Sequence, residues 1–371
     1  MKTAQRWAQA GERIDFIDSL RGLAVLLVLW DHLVGSYLTR RHQSWWPHEL
    51  ISKYVNKPLG IIQDFGWFGV CLFFLISGYV ITHVAQRETG SQFTIRRLLR
   101  IYPPLVVAIL LAVALASLSG ETVAKGWREI LWGMTLLNYV RVPQNAVLGV
   151  AWTLVIEMAF YSLMALQTFF FGRRHRIAVC LNLSLCILTI ACCRRFGDDF
   201  FLLAASIAYV PYLIVGQIIY LRSRGIIGNY FTVASGVVAF LAIQYGIREI
   251  HAGFRPLNNS YLLSFIFALS LFVVAMLINL KPVRLISFSA EISYSLYLVH
   301  GPVGFLVLAS GFHLGLPFSV SLLLAIAAVF VVAVALNRLV ERPSQALARR
   351  WTQTRKVISQ EEGKAPVPAL H

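Results

Sequence analysis

Ten apolar runs, near residues 20–38, 66–86, 102–119, 149–171, 177–193, 200–221, 226–246, 259–280, 292–310 and 317–339, succeed one another along this chain with polar gaps between them. Each is long enough to cross a bilayer core as a helix, which takes about 20 residues. In hydrocarbon the backbone satisfies its own polar groups only as helices or a closed barrel. The expected fold is therefore all-α: a polytopic integral membrane protein of about ten transmembrane helices. Composition agrees, with 58% hydrophobic and 13% charged residues and a mean hydropathy of +0.68 over 371 residues, far from soluble chains. An eleventh run, 127–140, is short and interrupted by Gly133 and Asn138, and is expected to be an interfacial or re-entrant helix.

The formal net charge of +16 does not imply nucleic acid, because that needs a basic face on a soluble fold or an aromatic stacking platform. Here the basic residues occupy the gaps between apolar runs. With the N-terminus cytoplasmic and 127–140 not crossing, 22 of the 33 Lys and Arg fall on the cytoplasmic side, as the positive-inside rule requires. Letting 127–140 cross would place RRHR at 173–176 and the basic tail outside, so both termini are expected in the cytoplasm. The first nineteen residues mix charge signs and carry no small-residue cleavage site, which reads as an uncleaved signal anchor. The five cysteines, Cys71, Cys180, Cys186, Cys192 and Cys193, lack zinc-ligand spacing and are expected to be reduced, packed thiols; no metal site is expected. Residues 1–345 form the membrane domain, and 346–371 a polar cytoplasmic tail expected to be disordered.

Ionisable residues inside spans are costly and are functional candidates by default. The first span sets Asp18 and Arg21 at its edge and Asp31 and His32 deep within it. Arg21 and His32 are eleven residues apart, so they share one helix face about 16 Å apart along the axis. Arg96, Arg97 and Arg100 precede Tyr102-Pro103-Pro104, where the prolines are expected to end one helical turn and start the next helix. Arg97 and Arg100, neighbours at i,i+3, form either a phosphate-gripping pair of guanidinium forks or ordinary positive-inside charge. Glu157 lies inside its span with Tyr161 one turn further on and Trp152 at the mouth; it is either half of a structural Arg–Glu pair or part of the chemistry. Ser293, Tyr297 and His300 share a face of a later span. The pair Ser77-Gly78 reads as a site of close helix approach or a bend. With no GxSxG elbow, Walker loop, HExxH or dinucleotide fingerprint, histidine is the best available base.

Six blocks carry a resemblance: IDSLRGLAVLLVLWDH, with Arg21 and His32 in Arg-x10-His spacing; FFLISGYVIT; RRLLRIYP, with Arg97 and Arg100 as RxxR; WTLVIEMAFY; SYSLYLVH; and VERP at 340–343. In this order, over about residues 13–345, they resemble acyltransferase family 3, the bacterial membrane O-acyltransferases that modify surface glycans. The resemblance implies a multi-pass protein of the bacterial inner membrane, an acyl-CoA donor (usually acetyl-CoA) on the cytoplasmic side, no metal, and a glycan or glycolipid hydroxyl as acceptor. The chain stops soon after its last span and so resembles stand-alone members. Asp31 directly before His32 departs from the pattern.

On this reading His32 is the general base, with a transient acyl-histidine as the alternative. Arg97 and Arg100 hold the donor's phosphates, and Arg21 closes the same mouth or stabilises developing charge. Glu157 and His300 orient the acceptor or complete a proton path, while Trp152, Tyr161 and Ser293 contact the substrate, the two aromatics as platforms for a sugar ring. A secondary transporter or flippase also predicts ten spans with buried charge, and would show broken helices in matched halves. A membrane receptor or scaffold would leave that charge as an unexplained cost.

Overall fold

The computed structural model describes residues 14–119, 124, 126–144, 146–172, 174–251 and 260–362. The described residues are helical wherever they are regular. The first span, Asp15–Arg41, consists of α1 (Asp15–Trp30), a wide π-helical turn over Asp31–Ser36, and α2 (Tyr37–Arg41). After the short α3 (Trp46–Ile51) come α4 (Gly66–Ala85) and α5 (Gly90–Leu118). Then follow α6 (Trp127–Thr135), α7 (Trp152–Leu166), α8 (His175–Ala191), α9 (Asp198–Ile207) and α10 (Val210–Ser223). The chain continues through α11 (Asn229–His251), α12 (Ser260–Ile278), α13 (Arg284–Glu291), α14 (Ser293–His313), α15 (Phe318–Leu336) and α16 (Arg342–Glu362).

Nine helical stretches among the described residues are long and apolar enough to cross a membrane. The tenth expected run is α8, apolar but only 17 residues, or about 26 Å at 1.5 Å per residue, the low end of what spans a bilayer. The 127–140 run forms the nine-residue α6 followed by a 3₁₀ turn at Leu137–Tyr139, too short to cross.

α1 lies at the centre, packed against α4, α13 and α14. α4 and α10 meet along small residues, as expected of helices in lipid, where apolar burial does not drive association. A Cβ added at Gly78 would collide with the Leu213 carbonyl, and one at Gly216 with the Leu75 carbonyl. Ser77-Gly78 is thus a close approach and not a bend. α5 begins with a capping box in which Thr89 Oγ1 accepts from the Gln92 N–H and Gln92 Oε1 accepts from the Thr89 N–H.

Two expectations are corrected. Pro103 and Pro104 do not break the chain into two helices; both sit inside one continuous α5. The carbonyls that lose an N–H partner are those of Leu99 and Arg100, four residues before each proline, a loss that membrane helices tolerate inside a packed bundle; the Tyr294 hydroxyl adds a bond from α14 to the neighbouring Ile101 carbonyl at 2.8 Å. The segment from 346 onward, expected to be disordered, is helical to Glu362 as part of α16. It docks on α5 because Ala348 and Thr352 point inward and are buried, and Arg96 Nε donates to Thr352 Oγ1 at 2.9 Å. The end of the tail, 363–371, lies outside the described residues. The five cysteines are unpaired.

Candidate active site

Four helices bring the buried charges together. α1 carries Arg21, α5 carries Arg97 and Arg100, α7 carries Glu157 and Tyr161, and α14 carries Ser293, Tyr294 and Tyr297. Arg21, Ser77, Arg100, Thr153, Glu157, Tyr161 and the three α14 residues line one cavity of about 70 Å³, room for a handful of waters at roughly 15 Å³ each. Glu157 is held from two sides. Ser77 Oγ donates to its Oε1 at 2.6 Å and Tyr161 to its Oε2 at 3.3 Å, so the i,i+4 spacing on α7 is realised as a hydrogen bond. Arg21 and Arg100 both lie within electrostatic reach of Glu157 and Glu341, and Arg21 Nη1 is 3.7 Å from Asp18.

Arg97 stacks on Phe93 at 5.7 Å. It is 9% exposed, and its Nε and Nη1 are buried without a hydrogen-bond partner. Leaving charged donors unpaired away from water costs several kcal/mol. Arg96, by contrast, is occupied structurally by Glu88 at 2.6 Å and by Thr352.

His32 and His300 meet edge to face, ring centroids 4.8 Å apart. His32 Nδ1 lies 2.9 Å from the Val28 carbonyl, and His300 Nδ1 lies 2.8 Å from the Tyr297 carbonyl. A carbonyl only accepts, so each Nδ1 carries the proton and each Nε2 keeps its lone pair. The Nε2 of His300 is buried without a partner, whereas His32 is partly accessible. Neither histidine lines the cavity. Tyr297 stands between, lining it while its ring packs 5.8 Å from His300. Its hydroxyl is fixed by Thr153 Oγ1 at 2.9 Å and the Val150 carbonyl at 3.1 Å.

Trp152 does not join Tyr161. It packs on Tyr209 and Phe74, nine residues or about 13 Å along α7 from Tyr161, which faces Phe93 and Glu157. Asp31 is buried at 7% exposure, pressed onto Gly66, and accepts from Ser36 Oγ at 3.1 Å. Its 3.7 Å separation from His32 Nδ1 exceeds a hydrogen bond. Among the described residues no three His, Cys, Asp or Glu gather in a metal-binding group.

The residue that sequence reasoning passed over is Glu341. It lies in the π-helical turn Asn337–Glu341, is 5% exposed, and accepts from Ser295 at 2.6 Å, Asn337 at 2.9 Å and Gln345 at 3.1 Å. Its only signal was membership of VERP just past the last apolar run, where a carboxylate looks interfacial. His32 sits in the other π-helical turn of the site, Asp31–Ser36, and such turns recur at functional positions.

Fold and site define a polytopic helical membrane protein whose buried arginines, carboxylates and histidines converge between its spans. A family model described as an acyltransferase domain matches residues 14–338, nearly all of the described membrane region; the chain belongs to acyltransferase family 3 and is a membrane acyltransferase. Comparison with curated proteins and with solved structures returns no match.

Proposed function

We propose that this protein transfers an acyl group, acetyl by preference, from acyl-CoA to a hydroxyl of a cell-surface glycan or glycolipid at the bacterial inner membrane. The supporting observation is the line of polar groups that runs from Arg97, Arg100 and Arg21 through the Glu157 cavity and Tyr297 to the paired histidines. The unpaired Nε and Nη1 of Arg97 suit a donor phosphate, with Arg100 beside it. The cavity of about 70 Å³ has room for a small acyl group and not for a nucleotide, which stays at the arginine mouth.

At the reacting end, the Nε2 of His32 takes the acceptor's hydroxyl proton as its oxygen attacks the thioester carbonyl. The carbon–oxygen bond forms, the carbon–sulfur bond breaks, and the departing thiolate recovers the proton from the imidazolium. General-base catalysis of this kind contributes about 10²–10⁴-fold. His300 packs the His32 ring in place, and Arg21, about 16 Å along the span from His32, holds the donor at the arginine mouth. Glu157 balances the arginines.

The test follows label from acetyl-CoA into surface glycan in membranes carrying wild-type protein or His32→Ala at equal abundance. Wild type incorporates label and the variant loses at least about 10²-fold. Undiminished incorporation by the variant would remove His32 from the mechanism, and transport without any acylated product would favour a transporter.

A further inference from the structure

At the end of the first span opposite Arg21 lies a second, larger cavity of about 420 Å³, lined by Tyr37, Gln43, Ser44, Phe312, Phe318 and Ser321 among others. This is within the roughly 300–1,000 Å³ of small-molecule sites. Its walls are aromatic. Tyr37 stacks on Phe305 and on Phe318 with interplanar angles of 23° and 21°, and Trp45 closes the edge at 5.2 Å from Phe318. Two polar atoms are stranded there: the Tyr37 hydroxyl and Ser321 Oγ are buried without a hydrogen-bond partner, on residues 6% and 3% exposed. Unsatisfied buried hydroxyls cost about 1–3 kcal/mol each, a cost relieved by a polar guest.

Charge is supplied at the rim. Arg41 lies over the rings of both Tyr37 and Phe312 at 5.9 Å, and Arg40 over Phe305 at 5.6 Å. Both are exposed, and neither has an ion-pair partner among the described residues. Cation–π contact places the two guanidinium groups while leaving their donors free for a carboxylate or phosphate.

The cavity uses the same two helical runs as the histidine pair. Tyr37 follows His32 by five residues and Leu308 follows His300 by eight, about 8–12 Å along the axes. We infer that this cavity is an acceptor subsite that seats a sugar ring bearing an anionic substituent, aromatic faces against the ring, Tyr37 and Ser321 on its hydroxyls and Arg41 with Arg40 on its charge. This assignment rests on the glycan-acylating reading above.

The experiment uses the purified full-length protein in phosphatidylcholine nanodiscs, with methyl β-glucuronide, methyl β-glucoside and inorganic phosphate as probes, read by saturation-transfer NMR and competition. The glucuronide should bind at least about fivefold tighter than the glucoside, corresponding to about 1 kcal/mol. Arg41→Gln should erase that difference, and Tyr37→Phe should weaken both sugars by about three- to tenfold. Equal binding of the two sugars, or a preference that survives in Arg41→Gln, overturns the assignment. So does complete displacement of glucuronide by phosphate or by nanodiscs of phosphatidylglycerol, which would make the cavity a phosphate or headgroup site. Should Tyr37→Phe fail to fold, the Arg41 and competition arms still decide. Coenzyme A binding to the same nanodiscs separates the two claims: sugar bound without coenzyme A defeats the acyl-CoA reading alone, and coenzyme A bound without sugar defeats this one alone.

Discussion

Glu157 is where charge balance and chemistry can be separated. Glu157→Gln keeps an acceptor for one of Ser77 and Tyr161, turns its amide NH2 to the other, and removes the charge facing Arg21 and Arg100. Acyl transfer should fall at least about tenfold, near 1.4 kcal/mol of barrier, whereas Ser77→Ala, which deletes one hydrogen bond, should fall less; rates in membranes at matched protein level check the order. Equal rates for Glu157→Gln and wild type would take the carboxylate out of the mechanism. Tyr297→Phe loses its bonds to Thr153 and Val150 and should lower thermal stability by about 1–2 kcal/mol, read as a shifted unfolding midpoint by tryptophan fluorescence. Part of this scale was legible in the sequence, because spacing within one regular helix is fixed: Glu157 and Tyr161, four residues apart, meet in a hydrogen bond. What was not legible were contacts between helices. Nothing in SYSLYLVH says that His300 meets His32, and VERP does not reveal that Glu341 turns inward to Ser295.

The elements are held by backbone approach as much as by side chains. At the α4–α10 contact, Gly78 and Gly216 each face a carbonyl of the other helix, so Gly216→Val must drive the two apart. The expected result is loss of a monodisperse detergent-extracted peak, while Gly236→Ala, with open space beside it, leaves that peak unchanged. The length of α4 and the shortness of α6 were readable because hydrophobic length is a local property. The continuity of α5 through two prolines was not, since it depends on packing against helices distant in sequence, α14 and α16 among them. The docking of α16 was hidden for the same reason: a threonine on a polar helix looks solvent-facing until Arg96 of α5 is seen to reach Thr352.

Across the whole molecule, the parity of crossings hangs on α8. With its 17 residues in the bilayer there are ten spans and the termini share a side; without it there are nine and they do not. Reporters fused to each terminus that are active only in the cytoplasm should both be active, and activity at one end alone would mean that α8 does not cross. The same whole-molecule view places the arginine mouth and the aromatic cavity at opposite ends of the first span, with the histidines between. The wide turn at Asp31–Ser36 acts there as a phase shifter. It carries about one residue more than an α-turn would, so the two halves of the span are rotated against each other by roughly 100°. Closing the turn without removing a residue would swing Tyr37, Arg40 and Arg41 by roughly 100° while Arg21 stays where it is, whereas deleting one residue between 33 and 36 should let the span close into continuous α-helix with those side chains on the face they already occupy. If the proposed function holds, a protein with that deletion should keep both donor and acceptor, read as label carried from acetyl-CoA into glycan, and the turn is then a place where the span stores an extra residue without turning its far half.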